Sequence, residues 1–378
     1  MQSGNSIFSR LEVKKYILKK NLKRDLPASI VVFLVALPLC LGIALASGAP
    51  LFAGIITGVI GGIIVASFSG SQLSVSGPAA GLTAIVLGAI GQLGSYQIFL
   101  LAVVLAGVMQ LILGLLKGGT IGNYFPSSVI EGMLAAIGLT LILKQLPHAL
   151  GVDSDFFGDE SFFQSDNENT FSAITNALSH FGLAAIVIST LSIAILIFWP
   201  KFKKLSVIPA PLMVVILGIS LALVFQGTPY ALGAKHMVEI PVVNGWSEFV
   251  GLFTTPDFSA ISNGKVWVVA ATIAVVASLE TLLSIEAIDK IDPIKRVSPT
   301  NRELMAQGTG NIVSGLVGGL PMTSVIVRSF CQCKCWWKNQ DVGNFSWLLV
   351  TFIITFYSRS DKYDTFGMFS CYTIGNRL

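Results

Sequence analysis

The residues that could do chemistry are few, and they lie inside apolar stretches. Glu280 sits in the middle of VVAATIAVVASLETLLSIEAID. An ionisable side chain at that depth is costly unless it faces a cavity or a partner. Two roles fit it: an ion-coupling or proton-carrying carboxylate, or a structural carboxylate bonded to a neighbouring helix. Ser284 lies four residues on and shares its helical face, whereas Glu286 and Asp289 lie nearer the cytoplasmic end and read as solvated. A second group, Thr323, Ser324 and Val325, comes after Pro321 in the stretch NRELMAQGTGNIVSGLVGGLPMTSVIVRS, residues 301–329. That stretch is apolar enough for a membrane, yet it holds Gly308, Gly310, Gly315, Gly318, Gly319 and Pro321. Irregular backbone at membrane depth is tolerated only where protein or water satisfies it, so a broken helix lining a cavity is expected. Pro321 suits the first turn of a short helix, where its missing N–H costs nothing. The N–H groups near Thr323 and Ser324 would then form an anion site at the positive end of a helix dipole, with Arg328 adding charge. A third group has the same form: SVSGPAAGLT, residues 74–83, places Ala79, Ala80 and Thr83 behind a Gly-Pro break. Paired Gly/Pro-interrupted segments in two halves of a chain mark the binding site of a secondary transporter.

Other chemistry finds no support. His148, His180 and His236 are isolated, without metal-ligand spacing, and no P-loop or Ser–His–Asp constellation is present. No enzyme activity, resident metal or cofactor is expected. Cys331, Cys333 and Cys335 form CQCKC, which alone reads as a thiolate clip, but its place after a membrane half-helix argues against one. Glu131 and Lys144 are candidates for an ion pair. Pro38 is expected to kink the first span. The net charge of +4 is dispersed in short clusters, which is no nucleic-acid footprint.

The elements that position these residues are membrane spans. Of 378 residues, 53% are hydrophobic and 12% charged, against about 25% charged in soluble domains. The fold class is an all-α polytopic membrane protein. Apolar runs fall at 27–47, 51–69, 78–92, 97–116, 127–148, 181–199, 206–226, 266–288, 303–319 and 321–329. Most approach the ~20 residues that cross a bilayer, and the third and tenth are short enough to be half-helices. Residues 1–25 form a basic N-terminus, read as cytoplasmic by the positive-inside rule. Alternation then places Lys117, the cluster Lys201, Lys203 and Lys204, and the run Lys290, Lys295, Arg296 and Arg302 on the same side. The acidic loop 149–180 falls outside and contains no Lys or Arg.

Four segments carry a resemblance. LPASIVVFLVALPLCLGIALASG resembles the first span of the SulP family of sulfate permeases and related inorganic anion transporters. SVSGPAAGLTAIV resembles its third span, SLETLLS its eighth, and the stretch 301–329 its ninth and tenth. The resemblance implies a seven-plus-seven inverted repeat: a core of spans one to four and eight to eleven, and a gate of the remainder. Within residues 26–329 that gives core spans 1–4 and 8–10 and gate spans 5–7. It implies an anion held between the third and tenth half-helices, touching Ala79, Ala80, Thr83, Thr323, Ser324 and Val325, largely through backbone N–H groups. It puts Glu280 and Ser284 where sodium-coupled members ligate sodium. MTSVI departs from the Gly/Ala-rich run of those members, which leaves Na+ symport, H+ symport and exchange open. The expected function is secondary active transport of an inorganic anion, sulfate or bicarbonate, by alternating access in the inner or plasma membrane. A homodimer is compatible with it. The alternatives are a nucleobase permease of related architecture and a non-transporting remnant.

The resemblance stops at Ser329. The family's later spans and its STAS domain are expected to be missing, so the second repeat reads as incomplete and transport as impaired. Residues 330–378 read as an aberrant tail produced by a frameshift. Back-translated one base later, Phe330 to Phe345 permit SANVNAGGKTKMSAI, which resembles the family's own continuation after IVRS. The DNA around codon 330 tests this expectation.

Overall fold

The computed structural model describes residues 32–151, 169–179, 182–201, 210–225, 251–292, 294–326 and 328–329. The expectations for the tail, for CQCKC, for His180 and His236 and for the basic N-terminus fall outside these residues.

The apolar runs fold as helices because the helix satisfies every backbone group within the segment, as lipid demands. Helix α1 spans Val32–Ala46 and stays helical through Pro38. Helix α2 (Leu51–Phe68) contains a widened π turn at Gly61–Val65. A short strand β1 (Ser76–Pro78) follows, then a tight turn at Ala80–Leu82 and helix α3 (Thr83–Leu93). Helix α4 (Tyr96–Leu115) and helix α5 (Ser127–Leu150) come next. Helices α6 (Thr170–Ser179), α7 (Leu183–Phe198) and α8 (Ala210–Phe225) follow. Helices α9 (Gly264–Ile291) and α10 (Thr300–Val317) then lead to strand β2 (Met322–Ser324).

Among the described residues, four helices are long and apolar enough to cross a membrane: Leu51–Phe68, Tyr96–Leu115, Ser128–Leu150 and Gly264–Ile291. A fifth is formed if α6 and α7, bent by 111°, count as one. That helix pair corrects the reading of 149–180 as loop throughout. Asn169 Oδ1 accepts from the N–H groups of Phe171 and Ser172 and starts α6 there. The tenth span is also corrected: Pro321 opens a strand, and helix resumes only at residue 326.

The strands form a two-stranded antiparallel ladder, with Ser76 opposite Ser324, Gly77 opposite Thr323 and Pro78 opposite Met322. Two apolar clusters flank it. One joins Leu82, Phe99, Leu101 and Ile273, and the other joins Leu37, Ile55, Val214 and Met322. Helices α4 and α10 meet at a glycine seam, as small residues allow between membrane helices. A Cβ on Gly107 would lie 2.7 Å from the Gly308 carbonyl oxygen, and one on Gly308 2.8 Å from the Gly107 oxygen. At the far end of α10, Gly318 takes a φ of +97° and packs against Thr254, which suits glycine alone.

Candidate anion site

The ladder lies where the two interrupted segments cross, and it decides what each predicted residue offers. Ala79 is buried, and its N–H donates to the Pro321 carbonyl at 3.3 Å. Val325 donates its N–H to the Val75 carbonyl at 3.0 Å. Of the six residues expected to touch an anion, Ala79 and Val325 therefore give their N–H groups to the ladder. Pro321 and Pro78 serve the strands rather than a first helical turn. Thr83 donates its hydroxyl to the Ala80 carbonyl at 2.6 Å, closing the turn that starts α3. The hydroxyls of Ser324 and Ser74 lie 2.6 Å apart. Thr323 is fully buried, and its Oγ1 has no hydrogen-bond partner among the described residues.

Arg328 brings a positive charge to the crossing. It is 0% exposed, and its Nη2 donates to Cys40 Sγ at 3.2 Å. Its Nε and Nη1 have no partner among the described residues. The guanidinium points one end at the first break: a Cβ on Gly77 would sit 1.9 Å from Nη1 and 2.9 Å from Cζ. Two unsatisfied donors on a buried cation are expensive. Each can donate a charge-assisted hydrogen bond to an anion oxygen.

Glu280 approaches the same break from α9. A Cβ on Gly81 would lie 3.3 Å from its carboxyl carbon and both oxygens. Ser284 is buried one turn along α9. The carboxylate therefore neighbours the turn that begins α3, and Arg328 neighbours β1. Glu131, by contrast, stands 4.0 Å from Lys290. It cannot reach Lys144, thirteen residues along the same helix, because that spacing is about 20 Å.

A polar stripe on α10 was not singled out from sequence. Glu303, Gln307, Asn311 and Ser314 are all 0% exposed. They have an i, i+4, i+8, i+11 spacing, one helical face, which was the available signal. Glu303 accepts from the Ser69 hydroxyl and, at 3.1 Å, from Gln307 Nε2, which also donates to Ser76 Oγ at 2.6 Å. Asn311 binds the backbone of Met322. Ser314 donates to the Leu320 carbonyl at 2.7 Å, and Thr57 Oγ1 accepts from the Leu320 N–H at 2.6 Å. The loop after α9 is tied down separately. Partial burial works to raise the carboxyl of Asp292, but bonds from Arg296 and from the N–H groups of Ile294 and Arg296 outweigh it. The Asp292 carboxyl therefore sits below its ordinary range.

Comparison with known proteins places this arrangement. The transmembrane domain of a cyanobacterial bicarbonate transporter, BicA, superposes with a TM-score of 0.63 at 23% identity, covering 94% of this chain and 86% of that one. Murine Solute Carrier 26 family member A9, an anion transporter in the inward-facing state, superposes with a TM-score of 0.61 at 14% identity, covering 93% and 58%. The fold is therefore that of these inverted-repeat transmembrane domains. In sequence, a putative sulfate transporter of Bacillus subtilis, YvdB, is 32% identical over 278 residues, 71% of this chain and 48% of its own length. The bicarbonate transporter BicA of a Picosynechococcus strain is 29% identical over 264 residues, 68% of this chain and 43% of its own. The chain spans about half the length of the curated relatives it matches. The family model described as the sulfate permease family matches residues 22–363, and the chain is a member of that family, integral to a membrane.

Proposed function

We propose that the chain is a secondary active transporter of an inorganic oxyanion, sulfate or bicarbonate, working by alternating access. The observation that carries this is Arg328: a buried guanidinium with Nε and Nη1 unpartnered among the described residues, against the ladder that joins the two breaks. The anion sits beside it, near Thr323, Ser324 and the turn at Ala79, Ala80 and Thr83, with Val325 shaping the site through its backbone. Names in the family agree with the substrate class, since relatives include a putative sulfate transporter and bicarbonate transporters. Glu280, with Ser284 on the same face, is the coupling carboxylate, taking either Na+ or H+. The N-terminus is cytoplasmic, the membrane is the inner or plasma membrane, and two copies associate.

The test is uptake of labelled sulfate and of labelled bicarbonate into proteoliposomes, with uracil as competitor. Saturable uptake of one anion that uracil does not inhibit is expected. In Arg328→Gln that uptake should fall about 100-fold, the scale of about 3 kcal/mol for a charged hydrogen-bonding partner. Uracil competition would favour a nucleobase permease. Full activity in Arg328→Gln would remove the guanidinium from the site.

A further inference from the structure

We propose that Asn311 is a positioning residue that acts as a one-residue third strand and sets the register of β2 for the anion; this rests on the oxyanion site above. The flanking ladder bonds, Ala79 N–H to Pro321 and Val325 N–H to Val75, fix the alternation of the antiparallel pair. Met322, opposite Pro78, therefore occupies a position whose N–H and C=O turn away from the partner strand. Both groups are taken by one side chain. Met322 donates its N–H to Asn311 Oδ1 at 2.7 Å, and Asn311 Nδ2 donates to the Met322 carbonyl at 3.2 Å.

The orientation of that amide is not free. The second hydrogen of Nδ2 goes to Gln110 Oε1 on α4 at 2.6 Å, and Gln110 Nε2 donates to Ser278 Oγ on α9 at 3.4 Å. Asn311 and Gln110 are each 0% exposed, and the glycine seam between α4 and α10 lets them meet. A flipped Asn311 would set Nδ2 against the Met322 N–H, a donor against a donor, and Gln110 and Ser278 hold it the other way. Strand periodicity carries the clamp forward: two residues on, Ser324 turns its N–H to the same edge as Met322. The network thus joins the helix of Glu280, through Ser278 two residues before it, to the strand of Thr323 and Ser324. Apolar packing alone would hold a helix here but would leave the edge of a three-residue strand unsatisfied.

Two readouts on the full chain in lipid test this: hydrogen exchange in residues 320–325, and KM against maximal rate for labelled sulfate and bicarbonate. In Asn311→Ala, exchange in 320–325 should rise about tenfold while α4 and α10 stay as protected as in wild type, and KM should rise about tenfold with the maximal rate nearly kept. Gln110→Leu leaves the Asn311 bonds to Met322 in place but frees their orientation. It should move both readouts the same way by about threefold, and it carries the test alone if Asn311→Ala does not fold. Equal loss of protection along α4 and α10 would make Asn311 a packing residue and overturn the proposal. Faster exchange in 320–325 with unchanged KM would overturn it too. If wild type transports neither anion, the oxyanion reading fails, and the exchange result by itself decides whether the clamp exists.

Discussion

The two breaks cross in one ladder but are held in different ways. The first, β1 with the turn into α3, is shaped by missing side chains. The widened turn of α2 presses on it, so that a Cβ on Gly61 would lie 2.5 Å from the Ser76 carbonyl oxygen. The guanidinium of Arg328 presses on the other side at Gly77. The second break, Leu320 to Ser324, is shaped by side chains that are present: Thr57, Asn311 and Ser314 take up its backbone groups. The lesson is an asymmetry of failure. The first break should be damaged by adding atoms, the second by removing them. Addition should do more harm where the group it meets is tightly packed and cannot yield, while a lost hydrogen bond is partly replaced.

Gly77→Ala is the strongest way to sharpen this. The new methyl must displace Nη1 of Arg328, so anion uptake should fall about 100-fold, within the range that overpacking produces. Gly81→Ala is its partner control on the same break. There the methyl meets the movable end of Glu280 at 3.3 Å, and uptake should stay within about threefold of wild type. Equal effects from the two variants in uptake assays would show that the guanidinium has no special place at the first break.

Glu280→Gln comes next in size. Glutamine imitates the protonated carboxyl and cannot release a proton or hold Na+ by charge. Uptake at the optimum should fall by roughly tenfold, the scale of one charge-assisted hydrogen bond. The pH or sodium dependence should flatten, with the order of preference between sulfate and bicarbonate unchanged. A dependence as steep as in wild type would make the carboxylate structural and leave coupling to other residues.

Much of this was legible from residue types. Gly77-Pro78 and Pro321 marked the breaks because glycine and proline at membrane depth need a reason, and the lengths of the apolar runs marked the helices. The strands were not legible. Three residues give no alternation to read, and Ser76 pairs with Ser324 across most of the chain. The resemblance named Ala79 and Val325 among the anion contacts, whereas the ladder uses the N–H groups of both. Helix α6 was hidden by acidic composition upstream, although Phe171, Ile174 and Leu178 repeat at helical spacing. The stripe Glu303, Gln307, Asn311 and Ser314 was readable from its spacing, but the glycines of the same segment dominate its pattern. Arg328 was named for its charge; that it is buried with two nitrogens open among the described residues needed coordinates.

The smallest expected effect tests the second break directly. Thr57 is fully buried on α2, and its Oγ1 donates to the Ala53 carbonyl at 2.7 Å and accepts from the Leu320 N–H at 2.6 Å. Thr57→Val keeps the shape and removes the acceptor, leaving the Leu320 N–H without its bond. An unsatisfied buried donor costs about 1–3 kcal/mol. Ser314 still holds the Leu320 carbonyl at 2.7 Å, so Leu320 keeps one of its two holders. The unfolding midpoint should therefore drop by a few degrees, while KM for the transported anion rises by less than about threefold. Adding Ser314→Ala cuts the second tie. If ties to one residue share a job, the double variant should exceed the sum of the singles, since neighbours in one network are not additive. Strict additivity in thermal unfolding would show that Thr57 and Ser314 stabilise their own helices and do not jointly hold the second break.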